Sequence, residues 1–191
     1  MMKKAHTIQN NHAQNACQRE NKQAHAAQNQ MQNHAQNQAK TYRPNVAAII
    51  LSSHYPNVCE FFLGEREDMS GVWQFPQGGI DEGEEPAEAL FRELEEEIGT
   101  NEIEILAQYP QWLSYDFPPH VLEKMYPFCG QTQLYFLVQL KPQAQINLKT
   151  PHQEFVRYDF VRYDEVLRRI NYFKKDIYTK VLQYFKDEGY F

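Results

Sequence analysis

The chain has 191 residues and a formal net charge of −6, with 42% hydrophobic and 14% aromatic residues, enough apolar surface to close the core of one domain. No run approaches the ~20 apolar residues of a membrane-spanning helix. No apolar stretch follows the opening Met-Met-Lys-Lys as in a secretion signal, and Cys17, Cys59 and Cys129 are spaced for neither a disulfide framework nor a zinc site. A reducing, cytoplasmic setting is expected, and the acidic balance argues against a broad basic nucleic-acid face.

The averages cover two unlike parts. Residues 1–40 contain nine Gln, eight Ala, seven Asn and four His, no Phe, Trp or Tyr, and carry a net charge of +4. Such a segment buries too little apolar area to offset chain entropy and is expected to be a disordered low-complexity tail. All 26 aromatic residues and a net charge of −10 fall in residues 41–191, the expected folded domain.

Within that domain the apolar run Asn45–Ser53 predicts a buried strand. Val58–Leu63 predicts a second, paired with the first across the His54–Asn57 turn, where Pro56-Asn57 supplies the break. Gly64–Gly71 reads as a polar loop. Pro86–Ile98 reads as a helix: Pro86 suits a first turn that needs no N–H donor, and Gly99 suits the C-terminal cap. Glu102–Gln108 and Thr132–Leu140 read as strands, the second with Leu134, Phe136, Val138 and Leu140 on one face. Asp164–Ile170 and Lys174–Asp187 read as helices. Strand followed by helix in this way predicts a layered α/β domain.

Gly78–Thr100 carries the chemistry. Its sequence, GGIDEGEEPAEALFRELEEEIGT, holds nine acidic residues and one basic residue, Arg92. At ~100° per residue, Ala87, Leu90, Phe91, Leu94 and Ile98 form a core-facing stripe. Glu93, Glu96 and Glu97 fall on another side, within an arc of about 100° by the same arithmetic. Three carboxylates on one turn repel one another, and hard divalent cations with oxygen ligands resolve the repulsion. Most Glu-rich helices are simply solvated. Here a Gly-rich loop, a proline start, an Arg-Glu pair and a glycine stop follow in order, which favours a cation site.

The segment resembles the Nudix box: Gly, five residues, Glu, seven residues, Arg-Glu, an apolar residue, one residue, Glu-Glu, one residue, Gly, then an apolar residue. Gly78, Glu84, Arg92, Glu93, Leu94, Glu96, Glu97 and Gly99 occupy those positions, and Thr100 stands where an aliphatic residue is usual. The resemblance implies a Nudix α/β/α sandwich with a mixed sheet, and hydrolysis of a pyrophosphate bond in a nucleoside diphosphate linked to another group. It implies that Glu93, Glu96 and Glu97 bind two or more Mg²⁺ or Mn²⁺ ions, with Gly78 among the metal-holding positions. Arg92 would orient a glutamate, and Gly78, Glu84 and Gly99 would shape the box.

The flanks narrow the likeness. Trp73–Gly79, WQFPQGG, resembles the bacterial RNA 5′-pyrophosphohydrolases and the related dinucleoside polyphosphate hydrolases, with Gln77 setting them apart from relatives that sanitise the nucleotide pool. Tyr42–Val46, Trp112–Tyr115, Gly130–Gln133, Glu154-Phe155 and Phe173–Tyr178 extend it over about Tyr42 to Phe185. By this resemblance Glu154 is a further metal ligand or the base, completing a catalytic set of Glu93, Glu96, Glu97, Glu154 and Arg92. Arg43 and Arg66 are expected on the triphosphate, since guanidinium forks suit phosphate oxygens. Gln77, Tyr115 and Lys174 complete the expected substrate contacts, Tyr115 by stacking and Lys174 by charge. The expected substrate is 5′-triphosphorylated RNA or, as the alternative, a dinucleoside polyphosphate; no membrane and no obligate protein partner is inferred. Trp73 and Phe75 are expected to pack, and His54, His120 and His152 receive no role. A binding module that had lost catalysis would lack a glutamate of the box, and all are present.

Overall fold

From Val46 to Leu51 every side chain is buried, which requires a strand covered on both faces. The computed structural model describes residues 40–170 and 173–191; the expected tail, apart from Lys40, lies outside the described residues. The buried stretch belongs to strand β1 (Tyr42–Leu51). It lies parallel to β7 (Gly130–Leu140), in register from Tyr42 opposite Gly130 to Leu51 opposite Gln139. The other strands are β2 (Phe61–Arg66), β3 (Trp73–Gln74), β4 (Gln77–Gly79), β5 (Ile103–Gln108), β6 (Leu113–Asp116) and β8 (Phe155–Val161). The sheet runs β3-β2-β1-β7-β5, with β4 on β1, β6 on β7 and β8 on β2. Every pair except β1 with β7 is antiparallel, so the sheet is mixed.

The period-two alternation of β1 and β7 builds two cores. Val46, Ala48, Ile50, Leu134, Phe136 and Val138 face helix α1 (Pro86–Ile98), packing on Ala89, Leu90, Leu94 and Ile98. Ala47, Ile49, Leu51, Tyr135 and Leu137 face the opposite way. There they meet helix α3 (Tyr163–Arg169) through Val166, and helix α4 (Lys175–Asp187) through Tyr178, Val181, Leu182 and Phe185. A short helix, α2 (Pro119–Leu122), lies between β6 and β7. The result is helix on sheet on helix.

Helix α1 begins and ends as its sequence predicts. Pro86 opens it, the Glu85 N–H donates to Glu88 Oε2 at 3.1 Å, and Gly99 closes it at φ 69° with its N–H on Glu95 O. Two strand readings change. The expected loop from Gly64 is still strand as far as Arg66, because Gly64 has no side chain to collide with Phe155 of β8; a Cβ there would sit 2.4 Å from that ring. Residues 58–60 lie outside β2, which meets β1 only at Leu51 and Phe61 and otherwise pairs with β3 and β8. The first strand also starts three residues early, at Tyr42, because β7 supplies backbone partners down to Gly130.

Candidate active site

Backbone pairing comes first. Strand β4 lies antiparallel on β1, with Gly78 opposite Val46, so the loop into α1 starts against the central strand. Helix α1 then packs its apolar stripe on the sheet and turns its glutamates to the sheet's end. One cavity of about 450 Å³ opens there, lined among others by Arg43, Asn45, Arg66, Gln77, Glu93, Glu96, Glu97 and Glu154.

Arg92 organises the loop. Its Nε and Nη2 form a fork on Glu84, both bonds at 2.8 Å, its Nη2 also donates to Gly79 O, and its Nη1 donates to Glu93 Oε1 at 2.8 Å. Glu84 further accepts the Asp81 N–H at 3.0 Å. Hydrogen bonds from Arg92 and that amide hold the Glu84 carboxyl down at about 2. Glu84 and Arg92 therefore brace the loop together. Gly78 is needed for another reason: a Cβ on it would lie 1.7 Å from the Glu93 carboxyl carbon. A side chain at Gly79 would meet Arg43 Nη2 at 2.1 Å.

The three helix glutamates have different surroundings, although the wheel groups them. Glu96 is exposed, Glu93 is half-buried and Glu97 is 8% exposed. Glu97 accepts the Gln77 N–H at 3.0 Å, yet its pKa is raised well above normal, by burial first and then by the charge of Glu154. Burial also raises Glu93 and Glu154, against the pull of Arg92 on the one and Arg66 on the other. Arg66 faces carboxylates: it grips Asp68 at 2.6 and 2.7 Å and lies 3.4 Å from Glu154. Among the described residues no three His, Cys, Asp or Glu side chains stand close enough to grip one ion; the four glutamates instead surround one cavity.

A second cavity, about 430 Å³, adjoins the first and shares Arg66, Gln77, Met125 and Gln131 with it. Its walls include Tyr115, Phe117, Phe173 and Lys174. Lys174 differs from a surface contact: it is 3% exposed, donates to Gln77 Oε1, and lies 5.8 Å from the ring centres of both Tyr115 and Phe173. Burial, then Arg66, pushes its pKa down to about 7. Phe75 is fully buried, and the Trp73 ring packs against the guanidinium groups of Arg157 and Arg169. No sequence pattern marks Asn45, Asp68, His120, Lys124 or Met125 as lining residues; only the packing of β1, the loop after β2 and the segment around α2 about the cavities brings them in.

A family model described as NUDIX domain matches residues 41–181. The chain belongs to the Nudix family. Proteins named RNA pyrophosphohydrolase from Campylobacter jejuni and Helicobacter pylori are each 60% identical over 151 residues, 79% of this chain and 97% of theirs. One from a Nitratiruptor species is 60% identical over 152 residues, 80% of this chain and 98% of its own. Among solved structures, the E. coli dihydroneopterin triphosphate pyrophosphohydrolase shares the fold at a TM-score of 0.56 with 17% identity, over 71% of this chain and 92% of its own. A C. elegans Ap4A hydrolase shares it at 0.55 with 17% identity, over 74% and 98%. The Nudix α/β/α sandwich with mixed sheet is therefore this chain's fold.

Nudix hydrolases generally use divalent metal ions, and the donor set here suits them. Four glutamates line one cavity and offer hard oxygen donors, and burial raises the pKa values of three of them, so bound cations would favour their ionised form. Among the described residues no helix is long and apolar enough to cross a membrane.

Proposed function

We propose that residues 41–191 form a metal-dependent pyrophosphohydrolase that acts on the 5′-triphosphate end of RNA. Water attacks phosphorus, pyrophosphate leaves and a 5′-monophosphate end remains, the change that opens RNA to decay. The reading rests on one juxtaposition: a carboxylate-lined cavity adjoins a second one walled by aromatic rings and Lys174, in a Nudix chain 60% identical to proteins named RNA pyrophosphohydrolase. A triphosphate fits the first chemistry, and a nucleoside fits the second.

Glu93, Glu96, Glu97 and Glu154 would hold two or more Mg²⁺ or Mn²⁺ ions. Bound, such ions neutralise phosphate charge, polarise the P–O bond and acidify water. Glu93, Glu97 and Glu154 all have raised pKa values, which favours accepting a proton from the attacking water. Arg92 orients Glu93 and holds Glu84, while Gly78 leaves Glu93 room. Arg43 and Arg66 offer guanidinium groups to phosphate oxygens, Arg66 exchanging its carboxylate partners for them. Tyr115 offers a stacking face to the first nucleotides beside Gln77 and Lys174.

The aromatic cavity also suits the second nucleoside of a dinucleoside polyphosphate. Offering triphosphorylated RNA and diadenosine tetraphosphate in parallel and comparing kcat/KM separates the two. RNA is expected to win; a clear preference for the dinucleotide replaces the RNA reading with the alternative.

A further inference from the structure

Asn45 sits on β1 directly opposite Gln133 on β7, both buried, Asn45 at 1% exposure. The chain of amides around them has one polarity. Lys174 Nζ donates to the Gln77 oxygen Oε1. The Gln133 atom on that same oxygen, 3.0 Å away, must then be its nitrogen, Nε2. The Gln133 oxygen is taken by the Tyr135 hydroxyl at 2.5 Å, and its Nε2 also donates to Asn45 Oδ1. Both amides that Gln133 meets, Gln77 and Asn45, thus have their oxygens turned to it. What remains of Asn45 is its Nδ2, which is buried and has no hydrogen-bond partner. Of the buried polar atoms left unpartnered among the described residues, this one alone belongs to a residue lining the acid cavity.

A buried N–H group without a partner costs stability, and such groups persist where a ligand supplies the acceptor. Two of the three arginines lining the cavity, Arg92 and Arg66, are engaged with carboxylates, so neutral donors would add to what Arg43 offers a phosphate. We infer that Gln133 is a positioning residue that turns the NH₂ groups of Asn45 and Gln77 into the acid cavity, where they donate to phosphoryl oxygens of the substrate. This deepens, and rests on, the reading of the cavity as a site for phosphoric anhydrides. Neutral amide donors suit the role: they bind anionic oxygens through charge-assisted hydrogen bonds without forming ion pairs with the surrounding glutamates. Tyr135, on the same strand face, anchors the far end of the chain from within the core.

The probe is methylenediphosphonate, an uncleavable diphosphate, added with Mg²⁺ to the full chain labelled with ¹⁵N at its side-chain amides. The Asn45 and Gln77 NH₂ resonances are expected to shift as the probe saturates, and Gln133→Met is expected to weaken binding about tenfold, the worth of one such hydrogen bond. Gln133→Met should also raise the KM for triphosphorylated RNA more than it lowers kcat. Saturation without movement of those resonances overturns the inference and leaves the anhydride reading intact. Unchanged affinity in a folded Gln133→Met overturns the positioning role. Where that variant fails to fold, the titration of the unsubstituted chain decides. Failure of the unsubstituted chain to bind the probe at all removes both the inference and the reading beneath it.

Discussion

At the scale of single residues, the acid cluster trades stability for chemistry. Glu97 has a carboxyl pKa raised by burial, so the folded state holds a proton that the unfolded chain releases above the ordinary value of 4.5. The metal-free protein must therefore lose stability as pH rises from that value toward the folded pKa. Glu97→Gln is expected to raise the melting temperature at pH 7 in the presence of a chelator and to flatten its fall as pH rises above 4.5. The same substitution is expected to lower kcat by roughly 10²–10⁴-fold, the usual worth of a general acid–base group. Greater stability together with full activity would sink the proposed role. Glu84 behaves oppositely: its carboxyl is held at about 2, so its contribution is complete above 4.5 and lost as pH falls toward 2. Arg92→Lys removes the fork on Glu84 and the bond to Glu93 together. A loss on the order of 10²-fold in kcat/KM is expected from misplacing Glu93, with the fold retained by circular dichroism.

At the scale of elements, α1 was legible from its residues because its signals are local. A proline start, an apolar stripe and a left-handed glycine cap all lie within one stretch of chain, and its bounds agree with the sequence reading. The bounds of β2 were not, because Gly64 and Glu65 look like loop residues until Phe155 of β8 lies over Gly64. The short strands β3, β4 and β6 have no pattern of their own and exist as partners of longer ones. Two substitutions test the element that carries the acids. Leu94→Ala empties a fully buried position under α1 and is expected to cost about 2–5 kcal/mol in urea unfolding. Gly78→Ala is expected to do the reverse: melting changes little, while activity falls steeply because the new methyl displaces the Glu93 carboxyl. Equal activity in the alanine variant would show that Glu93 need not approach the β4 backbone so closely.

At the scale of the whole molecule, the charge is a sum of unlike parts. The acid is concentrated in the Gly78–Thr100 segment, at the end of the sheet where the cavity opens, and residues 1–40 carry +4. We propose that residues 41–191 suffice for catalysis. Deleting residues 1–40 is then expected to leave hydrolysis of small dinucleoside polyphosphates near normal, while affinity for RNA falls modestly and more at low salt, as expected for a basic segment near phosphates. A collapse of small-substrate turnover would show that the domain boundary is drawn wrongly. By itself the sequence determined the family, the helix that bears the acids and the layered α/β class, because spacing, caps and apolar period are properties of neighbouring residues. Only the tertiary structure decided that Glu97 is buried while Glu96 is exposed, that Lys174 lies inside the molecule, and that Asn45, Gln133 and Gln77 form one chain of amides. Those facts depend on which strand lies beside which, and β1 meets β7 across nearly ninety residues of intervening chain, a contact that no local pattern can specify.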